Sequence, residues 1–227
     1  MGKNKLKRFA EMATYPNVFE PLFEEIVNKD YTLKGKWGTD FFKNDNPIVL
    51  ELGCGKGEYT LGLANLYPKK NFIGIDIKGA RMWRGAKEAL ENKLHNVAFL
   101  RTRIEFIESF FDADEVSEIW ITFPDPQLKE RRIKKRLTSP FFLNRYKTFL
   151  KPEGIVHLKT DSDILYEYTL ETIQREKHQL IEHTADLYND TTPENQYRKE
   201  AKAFQTFYES IYLAKNENIT YTRFILN

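Results

Sequence analysis

The amino-acid sequence predicts an α/β protein, a mostly parallel sheet with helices on both faces. Three observations predict it: strand and helix signals alternate along the chain, a glycine cluster follows the first apolar strand, and the acidic residues Glu51, Asp76, Asp125 and Asp161 close successive strands. Residues 47–52 read as a buried strand leading through glycines into a helix with Tyr59, Leu63, Leu66 and Tyr67 at helical spacing, stopped by Pro68. A strand follows at 71–76, then a helix with Trp83, Ala86, Leu90 and Leu94 on one face, then a strand at 97–100. This β-α-β-α-β order implies a parallel sheet. The fourth strand, 119–123, ends at Pro124-Asp125-Pro126, where two prolines stop the ladder and hold a carboxylate at the strand tip. Ser139 and Pro140 are the N-cap and first residue of another helix, with Phe142, Tyr146, Phe149 and Leu150 on its buried face. The turn 151–154 leads to a fifth strand, 155–158, that delivers Thr160 and Asp161, and segments 179–182 and 219–225 read as closing strands.

The chain has 227 residues, 41% hydrophobic and 30% charged, which fits a single globular domain at 45–227 preceded by a basic, helical and RNA-contacting segment at 1–44. Its 11 Gly and 9 Pro, without repeats or low-complexity tracts, exclude collagen-like and disordered classes. The apolar runs fall far short of the ~18 residues that a membrane span needs, and the first residues lack the apolar core of a secretory signal, so a cytoplasmic protein is expected. One cysteine, Cys54, excludes an intrachain disulfide, and four histidines without zinc-type spacing predict no metal. Any cofactor is expected to be organic.

The net charge of +2 hides two basic clusters: residues 1–8 (Lys3, Lys5, Lys7 and Arg8) carry +4 and residues 129–136 carry +5, leaving −7 on the rest. Such clusters suit a polyphosphate partner, because each Lys or Arg that neutralises a phosphate releases a condensed counterion. A solvated helical face is the competing reading of either cluster.

In open parallel sheets ligands bind beyond the carboxyl ends of the strands. There the chain places Glu51-Leu52-Gly53-Cys54-Gly55-Lys56-Gly57, a G-x-G-x-G cradle with an acid two residues ahead, not the phosphate-binding G-x-G-x-x-G or G-x-x-x-x-G-K-[ST] patterns. Asp76, about 20 residues on, sits where a carboxylate accepts both hydroxyls of a ribose. A ribose without a pyrophosphate, together with acids that favour an ammonium and a sulfonium, points to S-adenosyl-L-methionine.

The stretch Thr122-Phe123-Pro124-Asp125-Pro126-Gln127-Leu128-Lys129 and the basic run after it resemble the signature of bacterial tRNA (guanine-N(7)-)-methyltransferases. Lys159-Thr160-Asp161 and Thr206-Phe207-Tyr208-Glu209 are similar to that family's later motifs. The resemblance implies a Rossmann-like class I methyltransferase fold with seven strands, S-adenosyl-L-methionine as donor and a guanine in the variable loop of tRNA as acceptor. By position it implies Glu51, Gly53, Gly55, Gly57, Asp76, Arg103 and Asp125 on the cofactor side, with Asp125 catalytic. It implies Lys129, Asp161, Thr206 and Glu209 on the substrate side, and Arg131, Arg132, Lys134, Lys135 and Arg136 are expected to contact RNA. The protein is expected to act as a monomer or homodimer. The chain departs from the family at Gln127, commonly Trp, and at Arg103, usually an acid near the adenine. Methylation of another RNA site or a small metabolite would share the glycine loop but leave the basic run unexplained, and a non-catalytic RNA-binding protein would keep only the fold.

Overall fold

The computed structural model describes residues 2–227, with side chains from Lys5 onward, so the side chain of Lys3 lies outside them. Eight strands form one sheet: β1 (Val18–Phe19), β2 (Ile48–Leu52), β3 (Asn71–Asp76), β4 (Val97–Arg101), β5 (Val116–Thr122), β6 (Leu150–Thr160), β7 (Gln179–Thr184) and β8 (Thr220–Ile225). The helices are α1 (Gly2–Met12), α2 (Phe23–Ile26), α3 (Glu58–Leu66), α4 (Gly79–Glu91), α5 (Pro140–Tyr146), α6 (Asp163–Arg175), α7 (Gln196–Ala203) and α8 (Phe207–Leu213). Among the described residues, no helix is long and apolar enough to cross a membrane.

The strand order is β1-β4-β3-β2-β5-β6-β8-β7, parallel from β1 to β6, with β8 inserted antiparallel between β6 and β7. The chain leaves β2 for β3 on one side, while β5 flanks it on the other, so the order reverses at β2. Crevices open at such switch points, beyond the strand's carboxyl end. All five residues of β2 are buried, as expected of a central strand covered on both faces. Alternation divides the sheet's side chains: Leu50, Ile73 and Ile119 join one apolar cluster, and Val49, Phe72 and Trp120 the other.

Four features depart from the sequence reading. The sheet has eight strands rather than seven. The extra strand, β1, pairs Val18 and Phe19 with Phe99 and Leu100, and two residues are too few to show a period. It belongs to segment 1–44, which joins the same body: Met12 and Trp37 are fully buried. Helix α4 buries Met82, Gly85, Ala86 and Ala89 instead of the Leu90 and Leu94 face. Leu90 is exposed, while the Trp83 indole donates to Glu11 on α1. The 151–154 turn is a bulge inside β6: Val116 pairs with Leu150 and Glu118 with Ile155, with Glu153 left-handed at φ 61°. Leu150 therefore packs from the sheet, not from α5.

Candidate active site

The glycine loop continues directly from β2. Gly53, Gly55 and Gly57 have φ of 81°, 57° and 75°, a region where a side chain strains the backbone. Gly57 faces inward, and a Cβ there would come within 2.6 Å of the Phe99 ring, so this glycine serves packing and lines no ligand space. The tip of the loop is tied to β3, because the Gly55 N–H donates to one Asp76 oxygen (2.9 Å) and the Lys78 N–H donates to the other (2.8 Å).

Glu51 is buried and bridges two elements. One carboxylate oxygen accepts from the Thr122 hydroxyl at the end of β5 (2.7 Å). The other accepts from the Thr60 N–H (2.8 Å) and the Thr60 hydroxyl in the first turn of α3. The carboxylate thus caps a helix whose own N-cap, Gly57, has no side chain. Burial pushes the Glu51 carboxyl up to about 7, against the lowering by Thr60 and Thr122, and the nearby Asp76 adds to the rise.

Two chambers meet over Gly53. The first, about 260 Å³, is lined by Glu51, Gly53, Cys54, Gly55, Thr122, Phe123, Thr206, Phe207 and Tyr208, with Lys56, Glu58 and Arg81. The second, about 290 Å³, is lined by Gly53, Asp76, Ile77, Thr102, Arg103, Ile104, Glu105, Gln127, Leu137 and Phe142, with Arg132 and Lys135. The turn 123–127 borders both, contributing Phe123 to one and Gln127 to the other. Asp125 is exposed in the middle of that turn, where its Oδ1 accepts from the Gln127 N–H (3.0 Å). Phe123 and Gln127, at φ 47° and 48°, are held in the left-handed region, strain typical of functional turns.

The basic run folds as a 3₁₀ turn, Glu130–Lys135. In this geometry side chains three apart eclipse, so the run divides into rows. Arg132 and Lys135 border the second chamber, whereas Arg131 and Lys134 are exposed and line neither chamber. Arg136 corrects the RNA-contact expectation: it is only 4% exposed, its Nε donates to the Pro126 carbonyl (2.9 Å) and its guanidinium lies over the Tyr168 ring. It braces the turn at Asp125 and offers no free cation to a phosphate.

Glu209 also departs from expectation. Thr206 and Glu209 form a capping box at the start of α8. Glu209 is fully buried, paired with Lys159 at 2.5 Å and accepting from the Tyr188 hydroxyl at 2.7 Å. Its carboxylate is consumed inside the protein, while Thr206 beside it lines the first chamber. Asp161 lies outside both chambers, just before Ser162, which caps α6. Burial raises the Asp161 carboxyl above its ordinary value, and Tyr212 lies beside it. Lys129 is exposed at the N-cap of the 3₁₀ turn.

Sequence reading quoted but gave no role to Lys159, whose ammonium is fully buried, or to the exposed pair Phe207 and Tyr208 that line the first chamber. Lys56 lies over the Phe207 ring (4.1 Å) and Arg81 over Tyr208 (5.6 Å). The same two cations border a groove with Arg8, Arg84 and Lys87, whose basic residues come from α1, the glycine loop and successive turns of α4 and so form no run in the sequence.

A family model described as "Putative methyltransferase" matches residues 45–218. The chain is 57% identical to the tRNA (guanine-N(7)-)-methyltransferase of Christiangramia forsetii over 98% of each chain. It is 52% identical to the protein of that name from Bacteroides thetaiotaomicron, over all of this chain and 87% of that one. Among solved structures, the 16S rRNA methyltransferase KamB shares the fold, with a TM-score of 0.61 at 14% identity over 82% of this chain and 91% of that chain. The architecture is therefore the Rossmann-like class I methyltransferase fold. Identity of this depth over nearly the whole length, with a model match that includes both the glycine loop and the turn at Asp125, means that this chain belongs to the tRNA (guanine-N(7)-)-methyltransferase family.

Proposed function

We propose that this protein transfers a methyl group from S-adenosyl-L-methionine to N(7) of a guanine in the variable loop of tRNA. The observation that carries the reading is the turn 123–127, which borders both chambers and leads directly into a row of exposed cations. The donor set suits the cofactor: Asp76 offers acceptors to a ribose, and Glu51 offers a carboxylate to the cationic methionine end. Gly53 and Gly55 let the ligand approach the backbone, and Arg103 borders the adenosine end. On the acceptor side stand Asp161, Thr206 and Lys129.

The cofactor supplies an electrophilic methyl group on cationic sulfur. The acceptor N(7) has a free lone pair, so the protein needs no strong base, and its work is to align the reactants and stabilise the charge that develops on guanine. In A-form RNA the N(7) edge lies in a deep narrow groove, so the base must be presented unstacked while cations hold the flanking phosphates. Arg131 and Lys134, both exposed in the 3₁₀ turn, are the cations assigned to this hold.

Purified protein incubated with unmodified tRNA and methyl-labelled cofactor is expected to yield labelled 7-methylguanosine at a variable-loop position. Label in another nucleoside, or none in tRNA, overturns the proposal. Replacing both Arg131 and Lys134 with Ala is expected to raise KM for tRNA about tenfold and to lower the salt slope of tRNA binding by up to about two, with cofactor affinity unchanged. An unaltered salt slope would remove these side chains from the interface.

Glu51 makes cofactor binding depend on pH. A cation beside it favours the ionised form, so binding below about pH 7 must first release the proton. S-adenosyl-L-methionine affinity should be level above pH 7 and fall by up to about tenfold per unit below it, a dependence that Glu51→Gln abolishes. Calorimetry from pH 8 to 5.5 reads this, and a flat wild-type curve contradicts it. Without ligand the same raised value gives a stability contribution that is present at low pH and lost as pH rises from about 4.5 to about 7.

A further inference from the structure

We infer that the tRNA strand carrying the acceptor guanine leaves the first chamber across Phe207 and Tyr208, one of its unstacked bases lying on these rings, and enters the groove between α1 and α4, where Arg81, Arg84 and Arg8 hold its phosphates. The inference rests on the tRNA reading above and adds to it a surface that borders the first chamber, whereas the basic 3₁₀ turn borders the second.

Two large rings stand in solvent at this place: Phe207 is 51% exposed and Tyr208 42%. Neither packs into an apolar cluster of the core, although both line the chamber that contains Glu51 and Phe123. The backbone beneath them is fixed. The capping box of Thr206 and Glu209 and the buried Lys159 hold the start of α8, and the Phe207 N–H donates to Glu58 on α3 (3.1 Å). Fixed rings with an open face are what proteins that bind single strands offer to an unstacked base, because every base has a face to cover.

The groove continues from the same residues. Lys56, over the Phe207 ring, and Arg81, over the Tyr208 ring, line both the first chamber and a groove of about 540 Å³ whose walls include Arg8, Trp83 and Arg84. Arg8 of α1 lies over the Trp83 ring of α4 (4.8 Å), which closes the groove between the two helices. Among the described residues, Lys87 is paired with Glu11 and Glu91 and Lys56 reaches Glu58, while Arg8, Arg81 and Arg84 are exposed and meet no carboxylate. Cations without partners suit a polyanion, since each phosphate they neutralise releases a counterion. Glu88 and Glu91 border the groove one and two turns past Arg84, so the positive potential is confined to the end that adjoins the rings. Base platform and phosphate grip are thus neighbours, as recognition of consecutive nucleotides requires. Rings that served only to cover the cofactor would leave these arginines without a role.

The test measures tRNA binding against salt, and S-adenosylhomocysteine binding by calorimetry, on the same proteins. Phe207→Leu with Tyr208→Leu keeps an apolar wall to the chamber and removes both aromatic faces. It should raise Kd for tRNA about tenfold with the salt slope unchanged. Phe207→Trp, which keeps a face to stack on, should bind tRNA within about twofold of wild type. Arg81→Gln with Arg84→Gln should lower the salt slope by up to about two. In both double variants S-adenosylhomocysteine affinity should stay within about threefold of wild type. An unchanged tRNA affinity in the ring variant, an unchanged salt slope in the arginine variant, or a ring variant that loses S-adenosylhomocysteine more than tRNA overturns the inference. Failure of the wild-type protein to bind tRNA at all would instead overturn the tRNA reading and this inference with it.

Discussion

Lys159→Met is expected to destabilise the protein by about 3–5 kcal/mol, the cost of leaving a buried charge without its partner. Lys159 lies at the tip of β6 and Glu209 in the first turn of α8, both fully buried, with their charged atoms 2.5 Å apart. The ammonium also donates to the Ala201 and Phe204 carbonyls, so one side chain fastens the chain between α7 and α8 to the sheet. Burial lowers the Lys159 pKa, and the Glu209 carboxylate opposes that fall. Methionine matches the stem of lysine but strands Glu209 with only the Thr206 N–H and the Tyr188 hydroxyl. For a chain of this length the loss corresponds to a Tm lower by about 10 °C in calorimetry. Adding Glu209→Gln removes the stranded charge and should recover more than half of it. A single-variant loss below about 1 kcal/mol would show that the pair does not staple α8. Because Thr206, Phe207 and Tyr208 form one wall of the first chamber, the single variant should also bind cofactor more weakly at temperatures where it remains folded.

The legible parts of the fold are those where burial imposes a long, unmixed pattern. Strands β2 and β3 lie in the middle of the sheet, covered on both faces, and their apolar runs mark their bounds to within a residue. Strand β1 carries no such pattern because its two residues gain their place from β4, not from their own periodicity. The phase of α4 was obscured by Trp83, an aromatic half-buried at the edge of the core that meets α1 through its indole N–H. At the site, the glycine loop and Asp76 were legible because backbone conformation and strand position dictate those residue types. Arg136 was not, since nothing in a run of six cations identifies the one that turns inward; it does so as the first residue past the 3₁₀ turn, where the backbone becomes extended. Thr206-x-x-Glu209 has the spacing of a capping box, a local signal present in the sequence, yet the fate of its carboxylate depends on Lys159, fifty residues away.

Asp125→Asn is expected to lower kcat for tRNA methylation by about 10²-fold while leaving S-adenosyl-L-methionine affinity within about threefold. Asp125 carries two possible burdens, and asparagine separates them. The first is conformational: Oδ1 accepts from the Gln127 N–H and holds a turn whose flanking residues, Phe123 and Gln127, are both left-handed. Asparagine keeps that oxygen and forms the same turn. The second is electrostatic: positive charge passes to the imidazole part of guanine during transfer, and a fixed carboxylate on the exposed turn between Phe123 and Gln127 would lower the energy of that state. Asparagine lacks the charge. Asp125→Ala removes both, so it should lose a further several-fold in kcat and also weaken cofactor binding as the turn relaxes and Gln127 leaves the second chamber. Single-turnover assays with saturating tRNA and calorimetry on the same preparations divide the two effects. A fully active Asp125→Asn would reduce the residue to a turn former and shift the search for the charge-stabilising group to Asp161, whose raised carboxyl pKa and place at the end of β6 make it the next acid on the same rim.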